Sequence, residues 1–196
     1  MSSLAPKILS ALRLHDDLEQ CVRTVMGCMQ RSDSYVNMYV DILERSSDVP
    51  GMRDAVDRVA TGFLETQPFM MPVAPTPEID YDGFCDAVKD KRRRINMTEA
   101  IAKLGYAAMI AELVPLAMTV ASEPAQDHEK DVAIAFIGTA SRHFPGSQEG
   151  IRVWASTVLS DPDACGLGAR NRFALMDLHD SLSSRSPHAS RDESTS

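Results

Sequence analysis

Apolar residues recur along this chain at intervals of three and four. Val36, Tyr39, Val40 and Leu43 stand at i, i+3, i+4 and i+7, one stripe of a helix. Leu18, Cys21, Val22, Val25 and Met29 repeat that spacing. Val56, Val59, Phe63 and Leu64 do so again after Pro50-Gly51. The pattern predicts helices near 3–14, 17–30, 34–45 and 51–65. Short polar breaks such as Arg31-Ser32-Asp33 favour antiparallel neighbours. The two-residue alternation of a half-buried strand is nearly absent.

The helical pattern stops at QPFMMPVAPTP, four prolines between Gln67 and Pro77. Proline lacks a backbone donor and is excluded from helix interiors, so this stretch is an extended connector. Beyond it Tyr81, Phe84, Cys85 and Val88 form a short apolar stripe. Asn96 with Glu99 has the form of a capping box and predicts a long helix from Met97, rich in Ala and Gly. Pro115 should kink or end it. Glu123-Pro124, Ser147 and Asp161-Pro162 each mark a further helix start, and a last helix is expected over about 169–182, with Phe173, Leu175, Met176 and Leu178 apolar. The fold class predicted is all-α. Two helical bundles, residues 1–66 and 78–184, are joined by the linker 67–77, and a polar, disordered tail covers 185–196. No internal repeat is visible.

Composition narrows the function. Hydrophobic residues make up 44% and aromatics 6%, with 11 Met, so the core is aliphatic and adaptable. The formal net charge is −8, which argues against wrapping nucleic acid by overall charge. Cys21, Cys28, Cys85 and Cys165 form no CxxC pair and fit reduced thiols inside a cell. The first residues, MSSLAPKIL, lack the apolar stretch of a signal peptide. The one stretch resembling a membrane span, Ala100 to Ala121, contains Lys103, Glu112 and Pro115. Each mid-span charge would cost about 2.5–3.5 kcal/mol on insertion, so a buried helix is expected instead.

No catalytic or metal-binding pattern emerges. His15, His128, His143, His179 and His188 each lack a second His or a Cys within five residues. Gly166-Leu167-Gly168 follows no strand and precedes no suitably placed Lys. Gly-x-Ser-x-Gly is absent, and the acidic pairs fit solvated faces or helix first turns. The expectation is a non-enzyme with no cofactor, no metal and no small-molecule substrate. An all-helical enzyme with a dispersed site stays a minor alternative.

One segment departs from the acidic background. Lys89, Lys91, Arg92, Arg93 and Arg94 crowd into six residues, although four acids lie in the twelve before them. One or two cations would suffice for a helix C-terminus. Five suit anionic lipid, RNA phosphate or a nuclear-import receptor. No aromatics interleave them, so base stacking is not indicated.

The order of these features resembles the matrix proteins of orthomyxoviruses and, being short and acidic, their isavirus branch. A helical unit ends in a proline-rich connector. DAVKDKRRRI is similar to the family's central helix with its basic cluster. AIAKLGYAAMIAELVPLAMTVA followed by DVAIAFIGTASRHF resembles the paired Ala- and Met-rich helices after it. The likeness covers roughly residues 4 to 145. It implies a protein that self-associates into a layer beneath a viral envelope, touches anionic membrane, binds viral ribonucleoprotein or RNA, and supports assembly and budding. It further implies residence in the virion and in the host cytoplasm, at the inner plasma membrane and in the host nucleus. The basic-cluster role transfers to Lys89, Lys91, Arg92, Arg93 and Arg94. Two departures stand: the Cys/His cluster that some members offer for zinc has no counterpart, and better-known members are basic. The alternative is a monomeric cytosolic adaptor binding a partner helix through a Met-rich groove near Pro68, Phe69, Met70 and Met71.

Overall fold

The computed structural model describes residues 6–8, 10, 11, 17–29, 35–123 and 127–184, with the backbone alone at 127–129. The predicted tail, the Arg31-Ser32-Asp33 break and most of the predicted helix 3–14 lie outside the described residues. Among the described residues the protein is all-helical, with nine α-helices and no strand. They are α1 (Leu18–Met29), α2 (Val36–Arg45), α3 (Met52–Glu65), α4 (Tyr81–Ile101), α5 (Ala107–Glu112), α6 (Val114–Ser122), α7 (Asp127–His143), α8 (Gln148–Ser160) and α9 (Ala169–Ser183).

Helices α1, α2 and α3 bury the stripes anticipated from their spacing. Val22, Val25, Met26 and Met29 of α1 meet Met52, Ala55, Val56, Val59 and Ala60 of α3 in one cluster. Helix α7 organises the later part and packs against α4, α5, α6, α8 and α9. Val132, Ala133, Ile134, Phe136, Ile137 and Ala140 are all buried, so α7 is apolar on nearly every side, as an enclosed helix must be. Helix α4 touches α1 and α2 on one side and α7 on another, and the buried apolar cluster is continuous across it.

The connector between α3 and α4 is irregular but anchored. Phe69 is fully buried, its ring 5.1 Å from Phe136 at an interplanar angle of 65°. Met71 is also buried, whereas Met70 is exposed. Pro68 and Met71 therefore pack inward, and the four residues do not line a common open groove.

Three helix starts differ from expectation. The capping box at Asn96 is no cap, because Asn96 lies buried inside α4. Nothing between Val88 and Met97 breaks a helix, and Lys and Arg are good helix formers, so propagation overrides the local capping preference. The true N-cap is Asp80, whose carboxylate accepts from the Gly83 amide at 2.9 Å. Any side chain at Gly83 would collide with that carboxylate. Ser147 sits at the start of α8, but its hydroxyl donates to the Phe144 carbonyl at 2.9 Å and does not cap. Asp161-Pro162 opens a set of turns and no helix. Asp161 accepts from the Ala164 amide at 3.2 Å, and Gly166 soon turns the chain into positive φ. The fully buried Lys130 holds that turn by donating to the carbonyls of Cys165 and Gly166.

Between α4 and α5 the chain makes a π-helical turn, Ala102–Tyr106, where Gly105 adopts φ 100°. Pro115 lies in the first turn of α6, and the axis bends by 66° there, as its position predicted. Ala100 to Ala121 is thus a broken, partly buried path. No single described helix is long and apolar enough to cross a membrane.

Candidate functional site

The cationic run lies in the middle of α4, not at a helix end, so the helix dipole does not account for it. Each residue turns about 100° around the axis, so five nearly consecutive cations cannot share one face. The structure divides them. Lys91 points inward, where its Nζ donates to Asp131 Oδ2 on α7 at 2.5 Å, with both side chains about 85% covered. Arg94 donates through Nε to Asp90 Oδ2 at 2.8 Å and through Nη1 to the Met70 carbonyl at 3.0 Å. That second bond fixes the connector against α4. Lys89, Arg92 and Arg93 face solvent, with Lys89 also bridging Asp86 at 2.9 Å.

Tyr81 and Val88 are exposed on the same outer side as Arg92, and Cys85 lies between them, half-buried. The spacing of Tyr81, Cys85, Val88 and Arg92 is four, three and four, a single helical stripe. Of the four apolar positions noted in the last helix, Leu175 and Leu178 are buried, with Leu182 beside them, whereas Phe173 and Met176 are exposed. Their positions alternate across the α9 axis, and only one side faces α7 and α8.

Below the run a second charge cluster joins several elements. Glu99 of α4 accepts from Arg142 Nη2 at 2.8 Å and meets His143 Nε2 at 2.9 Å, both on α7. Lys103 of the π-helical turn stands 3.5 Å from the same carboxylate and donates to Asn37 Oδ1 of α2 at 2.6 Å. Burial opposes ionisation of Glu99, but the Arg142 guanidinium and the His143 imidazole outweigh it and hold the carboxyl at about 2. The cluster clamps α4 to α7 and ties both toward α2. Sequence spacing could not find it, because Glu99 and His143 lie 44 residues apart. Asp131 did leave a signal: it is the one acid heading the apolar run DVAIAFIG and needed a partner on burial.

A cleft of about 450 Å³ lies between α4, α7 and α9, walled by Lys91, Ile95, Asp131, Arg142 and Arg170. Its ionised groups are largely committed to one another: Asp131 holds Lys91 and stands 3.5 Å from Arg170, and Arg142 holds Glu99. Burial and nearby Asp17 push the Cys21 thiol up, which weakens it as a nucleophile. Among the described residues no group of three His, Cys, Asp or Glu side chains converges as metal ligands would. What the arrangement can do is present a mixed apolar and charged helix face to another surface. No protein-family model matches the chain, and no curated protein or solved structure is detectably similar to it.

Proposed function

We propose that this is a structural protein that assembles into a layer beneath a viral envelope, in the manner of orthomyxovirus matrix proteins. It contacts anionic membrane on one side and viral ribonucleoprotein on the other, and it performs no catalysis. The observation that carries this reading is the outward placement of Lys89, Arg92 and Arg93 on α4 in a chain of net charge −8. Lys91 and Arg94 serve the fold and hold that face in position. In this reading the helices over 1–66 and those over 78–184 act as two units packed through α4, one toward each side of the layer. Individual contacts of this kind are weak, and a repeated array makes them tight.

Flotation with vesicles containing phosphatidylserine tests it. Each cation near an anionic surface contributes about 1 kcal/mol. Replacing Lys89, Arg92 and Arg93 together by Ala should therefore lower vesicle affinity about 100-fold at low salt. Light scattering should rise with protein concentration, and more steeply on vesicles. A protein that stays monomeric and ignores anionic vesicles refutes the layer reading and favours the monomeric adaptor.

A further inference from the structure

We propose that a second cavity, between the connector, α4, α7 and the first turn of α9, binds a single-chain amphipathic anion, an alkyl phosphate or alkyl carboxylate. The alkyl chain lies along Phe84, Ala87 and Val88, and the head meets Arg170 and Lys91. The proposal rests on this cavity alone and stands apart from the layer-forming role.

The cavity measures about 280 Å³. Helix α4 supplies one wall through Phe84, Ala87, Val88 and Lys91, at i, i+3, i+4 and i+7, so all four keep to one side of the helix. At a rise of 1.5 Å per residue that wall is about 10 Å long. The connector runs beside it in the opposite sense. Pro75 lies against Gly83 near the start of α4, and the Met70 carbonyl meets Arg94 further along. Met71 and Ala74 therefore close a second side. Phe84 is half-buried yet lies outside the continuous apolar core, and its covered surface faces this space. The lining is apolar toward the start of α4 and charged toward Lys91, where Asp131 and Arg170 join it.

The charged end selects the head group. Lys91 uses one of its three donors on Asp131. Arg170 stands 3.5 Å from the same carboxylate with its side chain 79% exposed, so most of its five N–H donors remain for a ligand. Two cations against one carboxylate leave a single positive charge at this end, in a chain whose net charge is −8. A guanidinium matches the two oxygens of a carboxylate or phosphate. The apolar end selects the tail, because an alkyl chain placed there leaves water for Phe84, Ala87 and the buried Met71. A free inorganic anion uses only one end of the cavity, and a neutral alkyl chain only the other. At about 30 Å³ for a water-sized group the space holds roughly nine such groups, which suits a chain of about eight carbons.

Isothermal titration calorimetry with octyl phosphate, octanol and inorganic phosphate tests the two ends separately. Octyl phosphate should bind at least tenfold more tightly than octanol, and inorganic phosphate should show no binding at the same concentrations. Ala87→Leu fills the apolar end and should abolish binding of both alkyl ligands. Arg170→Ala should weaken octyl phosphate at least tenfold and leave octanol unchanged. Ala87 is half-buried and Arg170 exposed, and circular dichroism checks that both variants keep their helices. Carbon-13 methyl spectra of the methionines locate the ligand: Met71 should shift with octyl phosphate, whereas Met26 and Met52, buried between α1 and α3, should not. Octyl phosphate no tighter than octanol, full binding to Ala87→Leu, or an unmoved Met71 signal overturns the site. Flotation with vesicles containing phosphatidic acid separates the sources of the ligand. A tenfold loss of vesicle affinity in Ala87→Leu assigns it to a membrane lipid, and unchanged affinity assigns it to a free amphiphile. The layer reading is judged by the Lys89, Arg92 and Arg93 replacements and by light scattering, so the two proposals can fail independently.

Discussion

The ring of Phe69 decides whether the connector is a tether or part of the core. It has no exposed surface and stands edge-on to Phe136 at 5.1 Å. Truncating such a residue removes its transfer free energy and leaves a cavity, typically about 3–5 kcal/mol for Phe→Ala in a core. About 0.5–1.5 kcal/mol of that belongs to the aromatic pair itself. Domains of this kind are stable by about 5–15 kcal/mol, so Phe69→Ala should remove a large share. Phe69→Leu keeps most of the buried area and should cost about half as much. Urea titration followed by circular dichroism and by the fluorescence of the single tryptophan supplies the measurement. Trp154 is well placed for it, half-buried on α8 with its Nε1 donating to Ser122 Oγ of α6 at 3.0 Å. A double-mutant cycle of Phe69→Ala and Phe136→Ala should show coupling near the pair value. A loss below about 1 kcal/mol for Phe69→Ala, or no coupling, would refute the view that the connector is anchored through this ring.

Other outcomes follow from the charges and the backbone. Lys91→Ala leaves the largely covered Asp131 with only Arg170 nearby and should cost about 1–3 kcal/mol in urea titration, whereas Lys89→Ala on the exposed face should change stability by less than about 0.5 kcal/mol; equal effects would contradict the division of the run. Glu99 has a folded-state pKa of about 2 against an ordinary value of 4.5, so its charge stabilises the fold above that ordinary value, and the contribution is lost as pH falls from about 5 toward 2. Glu99→Gln should therefore be less stable than wild type at pH 7, and the difference should shrink over that window; a constant gap would show that the Arg142 and His143 contacts do not set the titration. Gly105→Ala meets open space but must hold φ near 100°, which costs about 1–2 kcal/mol by backbone strain. Thermal melts should show that loss without any change in helix content.

Much of the fold was legible in local spacing. The stripes of α1, α2 and α3 name their buried residues because a 3.6-residue repeat brings i, i+3, i+4 and i+7 to one side whatever lies opposite. Pro115 marks the bend because proline removes a donor regardless of context. The basic run was visible as composition, and so was the acidic background that isolates it. Helix starts were less secure where a local signal competed with propagation, as at Asn96, where the surrounding helix formers prevailed.

The tertiary structure alone decided which members of each set face outward. Lys91 differs from Lys89, and Arg94 from Arg93, by rotation about α4; α7 turns that rotation into a covered pairing of Lys91 with Asp131, and the connector turns it into a bond from Arg94 to the Met70 carbonyl. Phe69 reads as part of a linker, and Phe173 and Leu175 read as equally apolar, until the helix opposite each is known, because burial is a property of the neighbouring surface. The Glu99 cluster joins residues more than forty positions apart, a distance over which periodicity carries no information. Local physics writes the helices into the chain; non-local packing chooses which of their charges and rings remain available to a partner.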